Sequence, residues 1–160
     1  MTQGLYNTIV VATDGTVYAK KVINTAVGLS KLTGAKLYAI YVSDISNFTP
    51  TSAEWELITE NIKQESETAL EYVRMLAEKE NVPLETASRS GAPAIEIVQF
   101  ANQINADLIV VGATGKKALE RILLGSVSEK IVRNAKQQVL VVRANIEQEK
   151  KSKKSDKKNE

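Results

Sequence analysis

The sequence predicts an α/β fold: a doubly wound, five-stranded parallel sheet with helices on both faces. Three observations carry this expectation. Five short apolar runs are separated by four segments with helical periodicity, giving the order β-α-β-α-β-α-β-α-β. The runs are apolar throughout rather than alternating, as in strands covered on both faces. Parallel strands joined through helices then require right-handed crossovers.

The first strand is expected from Leu5 to Ala12, with Ile9, Val10 and Val11 at its centre. A first helix follows, marked by Ala19, Val22, Ile23, Ala26 and Leu29 at helical spacing, with Gly34 as its stop. The second strand runs from Lys36 to Val42 through Leu37, Tyr38, Ile40 and Tyr41. A loop from Ser43 to Ser52 is longer than a plain strand–helix connection needs, which places it at the border of a site. A long second helix, about residues 53–81, carries Trp55, Ile58, Ile62, Ala69, Val73 and Leu76 on one stripe. Trp55 is read there as a packing residue, and Tyr38 and Tyr41 as structural. Leu84–Ser90 is the most polar strand and therefore belongs at an edge. Pro93 opens the third helix, where its missing N–H costs nothing, and Ile95, Val98 and Ala101 or Asn102 follow. The fourth strand is Ala106–Val111, the fourth helix about Val127–Ala135, and the fifth strand Val139–Val142.

Composition bounds the function. A chain of 160 residues, 43% hydrophobic and 25% charged, suits one soluble globular domain. No stretch approaches the ~18 apolar residues of a membrane-spanning helix. The first positive side chain is Lys20, so no secretory signal is expected and the chain reads as cytoplasmic. There is no cysteine and no histidine. That excludes thiolate nucleophiles and disulfides, and removes the usual neutral-pH base and the commonest metal ligand. The net charge of +2 resides in residues 145–160, where six lysines face Glu147, Glu149, Asp156 and Glu160. The rest of the chain sums to zero, so nucleic acid is not an expected partner of the body. The domain is expected to span residues 1–146. Residues 147–160 form a lysine-rich segment with no apolar residue, read as a disordered tail that either solubilises or meets an anionic surface.

Open parallel sheets bind ligands beyond the carboxyl ends of their strands, where strand order reverses. Two strand ends are equipped for this. The first ends in Ala12, Thr13, Asp14 and Gly15. The fourth ends in Gly112, Ala113, Thr114 and Gly115, and Gly125 and Ser126 open the last helix. Glycines allow a ligand to reach the backbone, and a helix N-terminus offers unpaired N–H groups and a favourable dipole for an anion. Ser126 and Ser128 add hydroxyls, and Lys116 and Lys117 add charge of undetermined direction. The plainer reading is a set of turn glycines and a helix cap. The spacing is neither a Walker A loop nor Gly-x-Gly-x-x-Gly after a first strand.

The order Gly112, two residues, Gly115, nine residues, Gly125-Ser126 resembles the nucleotide-binding motif of the universal stress protein family, specifically its ATP-binding subgroup. The resemblance covers about residues 5–144. It includes Ile9-Val10-Val11-Ala12-Thr13-Asp14-Gly15, the Gly91-Ala92-Pro93-Ala94 turn and the closing Val139-Leu140-Val141-Val142. It implies a Rossmann-like, adenine nucleotide alpha hydrolase-like fold and a homodimer through the fifth strand, Val139–Val142. It further implies ATP as ligand, with Mg or Mn accompanying the phosphates. Ala12, Thr13 and Asp14 would line the nucleoside end, Asp14 near the ribose or the metal. Val42 would meet adenine through its backbone. Gly112 and Gly115 would contact ribose and phosphates, and Gly125, Ser126, Val127 and Ser128 would hold the phosphates. Ala113-Thr114 departs from the Ser-His or Ser-Arg common in the family's first turn, and Gln138 from a proline.

The main functional expectation is an ATP-binding sensor or regulator of the stress response with slow or no hydrolysis. The alternatives are a slow ATPase or nucleotidyl-transfer enzyme and a non-nucleotide interaction module. The missing histidine argues against the second; the intact glycines and Ser126 argue against the third.

Overall fold

The computed structural model describes residues 4–46, 49, 51–113 and 124–143. Five strands, β1 (Thr8–Thr13), β2 (Lys36–Asp44), β3 (Leu84–Gly91), β4 (Leu108–Gly112) and β5 (Gln138–Val142), alternate with four helices. These are α1 (Ala19–Thr33), α2 (Ser52–Lys79), α3 (Pro93–Gln103) and α4 (Ser126–Asn134). All strand pairs are parallel, in the order β3-β2-β1-β4-β5. The polar β3 lies at an edge, as its composition demands. The chain winds outward from β1 through β2 to β3, then crosses back to β4 and β5. Strand order therefore reverses between β1 and β4.

The apolar strands split their side chains between two cores, which explains why they do not alternate with polar residues. Ile9, Val11, Leu37, Ala39, Leu108 and Val110 pack against Val22, Ile23, Ala26 and Val27 of α1 and Ala69, Leu70, Val73 and Ala77 of α2. Val10, Ile40, Ile109 and Val111 pack against Ala94, Ile97, Phe100 and Ala101 of α3 and Ile131 of α4. Tyr41 is buried in the first core, and Tyr38 meets Phe100 edge-on, at 6.1 Å between ring centroids, beside the second. Both tyrosines are structural.

Several boundaries and faces differ from the sequence expectation. β1 begins at Thr8, and Leu5 is exposed before it. Its start is set by Asp107 Oδ2, which accepts from the N–H groups of Asn7 and Thr8 at 2.8 and 2.9 Å. β2 continues through Ser43 and Asp44, because β3 pairs with it as far as Asp44↔Gly91. In α3 the buried residues are Ala94, Ile97, Phe100 and Ala101, while Ile95 is 57% exposed. The expected Ala101 is buried and Val98 packs against the second core, whereas Ile95 faces solvent and Ala94 and Ile97 enter the core instead.

In α2 the buried residues begin only at Ser66. The expected stripe extends N-terminally through Ile62, Ile58 and Trp55, but Trp55 is 42% exposed. It is not a core packing residue. What starts the helix is a capping box. The Thr51 N–H donates to Glu54 Oε2 at 2.6 Å and Thr51 Oγ1 donates to the same oxygen at 2.8 Å. Those two donors hold the Glu54 carboxyl below its ordinary range. The lysine-rich tail expected from residue 147 lies outside the described residues.

Candidate functional site

The carboxyl ends of β1 and β4 meet at the reversal of strand order, with Val11 paired to Val110. Immediately beyond β1 the chain makes an Asp-Gly-Thr turn. Asp14 Oδ1 accepts from the Thr16 N–H at 2.9 Å and from Thr16 Oγ1 at 2.6 Å. Thr13 is buried, and its Oγ1 accepts from the Gly15 N–H at 3.3 Å. Gly15 has φ 76°, a left-handed conformation that a Cβ would strain, and an added Cβ would stand 3.2 Å from that of Ala69 on α2. Asp14 thus holds its own turn with one carboxylate oxygen. Val42 lies one residue past Tyr41, the β2 partner of Thr13, and so sits level with this turn.

On the other side of the crevice, Gly112 ends β4 and pairs with Val142. The Ala113 N–H donates to Val142 O at 2.9 Å, and Gly125 N–H donates to Ala113 O at 2.6 Å. That second bond pins the start of α4 onto the end of β4. Gly125 is the N-cap, with φ −73°, so glycine is needed there for space rather than for backbone conformation. A Cβ at Gly125 would stand 3.0 Å from Ala113 O. Among the described residues no side chain caps α4, and its first intrahelical bond is Glu129 N–H to Gly125 O at 3.0 Å. The N–H groups of Ser126, Val127 and Ser128 precede that bond and have no carbonyl of their own helix to donate to.

The two serines are not equivalent. Ser126 is exposed, whereas Ser128 is buried and its Oγ donates to Gly125 O at 3.0 Å. The Ser128 hydroxyl serves the helix start. Val127 is exposed beside Ser126. Glu129, the acid in the first turn, is paired with Arg133 at 2.9 Å. Arg133 lies on a solvated face, as expected.

The fold therefore gathers Ala12, Thr13, Asp14 and Val42 on one side of the carboxyl edge and Gly112, Gly125, Ser126, Val127 and Ser128 on the other. Gly115, Lys116, Lys117, Glu120 and Arg121 lie outside the described residues. Among the described residues no group of three or more acidic side chains is arranged to hold a metal. Sequence reasoning missed Thr16 and the Ala113 carbonyl at the site, and Ser43 near the end of β2, whose buried Oγ has no partner among the described residues. The Asp-Gly-Thr signature of an Asx turn was the available signal for Thr16. The other two depend on strand register.

These features define a doubly wound α/β protein with a glycine-opened helix start at its switch point. The sequence profile of the universal stress protein family matches residues 5–143, and the chain belongs to that family. It is 46% identical over 143 residues to a universal stress protein of Methanocaldococcus jannaschii, covering 88% of this chain and 84% of that relative. The structure of universal stress protein UspA from Lactobacillus plantarum matches with a TM-score of 0.77 at 29% identity, covering 86% of this chain and 98% of that one. A universal stress protein solved in complex with cAMP matches with a TM-score of 0.66 at 27% identity, covering 86% and 97%. No helix among the described residues is long and apolar enough to cross a membrane.

Proposed function

We propose that this protein binds ATP at the β1–β4 crevice and acts as a cytoplasmic, nucleotide-dependent regulator rather than as a fast enzyme. The observation that carries the reading is the uncapped start of α4, pinned by the Gly125–Ala113 hydrogen bond beside the Asp14 turn. The helix N-terminus suits phosphates; the carboxylate of Asp14, repelled by them, suits the nucleoside end. Complex formation with cAMP by a structural neighbour supports an adenine nucleotide. Gly115 belongs to the same reading through the motif, as does Mg or Mn accompanying the phosphates.

Slow turnover follows from what the site offers. Fast phosphoryl transfer requires an in-line nucleophile and stabilisation of charge on the moving group. The chain has no histidine or cysteine, and one oxygen of Asp14 is already engaged by Thr16. Helix N–H groups that bind ground state and transition state alike do not raise turnover. Calorimetry with ATP and magnesium is expected to show saturable binding, and a phosphate-release assay on the same sample turnover well below ~1 s⁻¹. Absence of binding would overturn the reading. Turnover at that rate, lost in Ser126→Ala, would replace it with an enzyme.

A homodimer through β5 belongs to the same proposal. Val139 to Val142 form a sheet edge on which Leu140 is exposed, and apolar edges are rarely left unpaired. Light scattering is expected to give about twice the 17.5 kDa chain mass. A Leu140→Lys variant should shift the population to monomer. A parent protein that stays monomeric at high micromolar concentration contradicts the dimer.

A further inference from the structure

We infer that the lysine cluster of the C-terminal segment, Lys150, Lys151, Lys153 and Lys154, docks on the exposed start of α2 in the same molecule, with one lysine over Trp55 and its neighbours against Glu56 and Glu60. The inference goes beyond the nucleotide reading and does not depend on it. Between Ser52 and Glu65 no residue of α2 is buried. Trp55 is 42% exposed, and Ile58 and Ile62 on its stripe are half-buried. Glu56 and Glu60 are exposed and one helical turn apart, and neither forms an ion pair among the described residues. Like charges at that spacing repel, and a cation beside both relieves the repulsion. The whole helix carries seven acidic and three basic side chains, so it is the acidic element to which a cationic segment is drawn.

The fold sends the C-terminal segment out on the same face. Just after β5, the carbonyl of Arg143 accepts from Lys21 Nζ of α1 at 2.6 Å. The exit of the chain is thus tied to α1, which packs with α2 in the first core. The two helices are joined near that point. Lys20 Nζ stands 5.4 Å from the ring centroid of Tyr72, and the Tyr72 hydroxyl donates to Asn24 Oδ1 at 2.7 Å. From Tyr72 back to Glu60 the helix rises ~18 Å. The chain from Arg143 to Lys150 reaches ~23 Å when extended, so the cluster can arrive there. Lys150-Lys151-Ser152-Lys153-Lys154 places four positive charges in five residues. Lysine suits the surface in two ways. Its ammonium pairs with carboxylates and sits over an indole face, and its aliphatic stem covers apolar surface. Residues 147–160 have no apolar side chain, so lysine stems are what they offer to Trp55 and Ile58. Pairs between exposed charges are screened by salt, so the contact is a latch that ionic strength opens.

The test is acrylamide quenching of Trp55, the single tryptophan of the chain, in full-length protein. Acrylamide is neutral, so the charges under test do not change its local concentration. Three variants are compared with the parent. One carries Lys150→Gln, Lys151→Gln, Lys153→Gln and Lys154→Gln, and a second carries arginine at the same four positions. The third carries Glu56→Gln and Glu60→Gln. A cation seated on one face of the ring leaves the other open, so the glutamine variant should show a quenching constant about twofold above the parent's at low salt. The arginine variant should match the parent, and the Glu56→Gln/Glu60→Gln variant should match the glutamine variant. At about 1 M salt, where the Debye length is ~3 Å, all four should agree. Equal quenching of parent and glutamine variant at low salt overturns the inference, as does a difference that survives high salt. Parental shielding in Glu56→Gln/Glu60→Gln overturns the placement on α2. Shielding that is lost on dilution puts the segment on a second copy and overturns docking within one molecule. All the substitutions lie on exposed positions or in the segment itself, and a melting curve checks that each variant is folded.

Discussion

Gly125→Val is expected to weaken ATP binding by about a hundredfold or more, a loss of roughly 2.7 kcal/mol. The reason is local and steric. At Gly125 a Cβ would stand 3.0 Å from the carbonyl oxygen of Ala113, and that oxygen is fixed backbone. It is also the acceptor of the 2.6 Å bond from Gly125 N–H that holds α4 to the end of β4. Valine adds two methyl groups beyond that Cβ, so the bond must lengthen and the helix start must move. Backbone conformation is not the obstacle, since φ is −73°. A graded series separates the two causes. Gly125→Ala adds the Cβ alone, which the neighbouring carbonyl accommodates by a few tenths of an ångström, and should lose about tenfold. Calorimetry with ATP and magnesium reads both variants, and a melting curve confirms that each is folded. Parental affinity in Gly125→Val would show that the α4 start is not the phosphate site.

The sequence carried the fold through period and polarity. Apolar runs without alternation are what two cores on one sheet require, and the polar third run had to be an edge. What it could not carry was phase and extent. In α3, Ile95 is the larger apolar side chain and attracted the reading, yet the helix buries the small Ala94 and turns Ile95 outward. A stripe of period 3.6 fits either choice until the helix is set on the sheet. In α2 the stripe runs unbroken from Trp55 to Leu76, and nothing in it says where the sheet beneath stops. In the structure its buried residues begin only at Ser66. The candidate site follows the same division. Glycine spacing located the α4 start, because close backbone approach needs glycine wherever the helix points. The roles of Ser126 and Ser128 were not separable. Two residues apart on a helix they face different ways, and the hydrogen bond from Gly125 to Ala113 together with the burial of Ile131 fixes which of them looks inward.

Ile131→Ala should be the most damaging single core change in α4, costing about 2–5 kcal/mol of stability. Of the nine residues in that helix only Ser128 and Ile131 are buried, and Ile131 is fully so. It is therefore the one large apolar side chain that ties α4 to the second core, which includes Phe100, Ile109 and Val111. Alanine would remove that anchor and leave a cavity that Gly125 and Ser128, held by backbone-directed hydrogen bonds, cannot readily collapse into. For a domain of this size the loss corresponds to a fall in melting temperature of roughly ten degrees. Val132→Ala is the control on the neighbouring residue. Val132 is 46% exposed, and its truncation should cost no more than about 0.5 kcal/mol. The same anchor positions the N–H groups of Ser126, Val127 and Ser128, so Ile131→Ala should also lose ATP affinity, and added ATP should raise its melting temperature less than the parent's. Urea unfolding with and without ATP measures both effects. A loss under 1 kcal/mol would mean that α4 is held to the sheet by its start alone, through the Gly125–Ala113 bond.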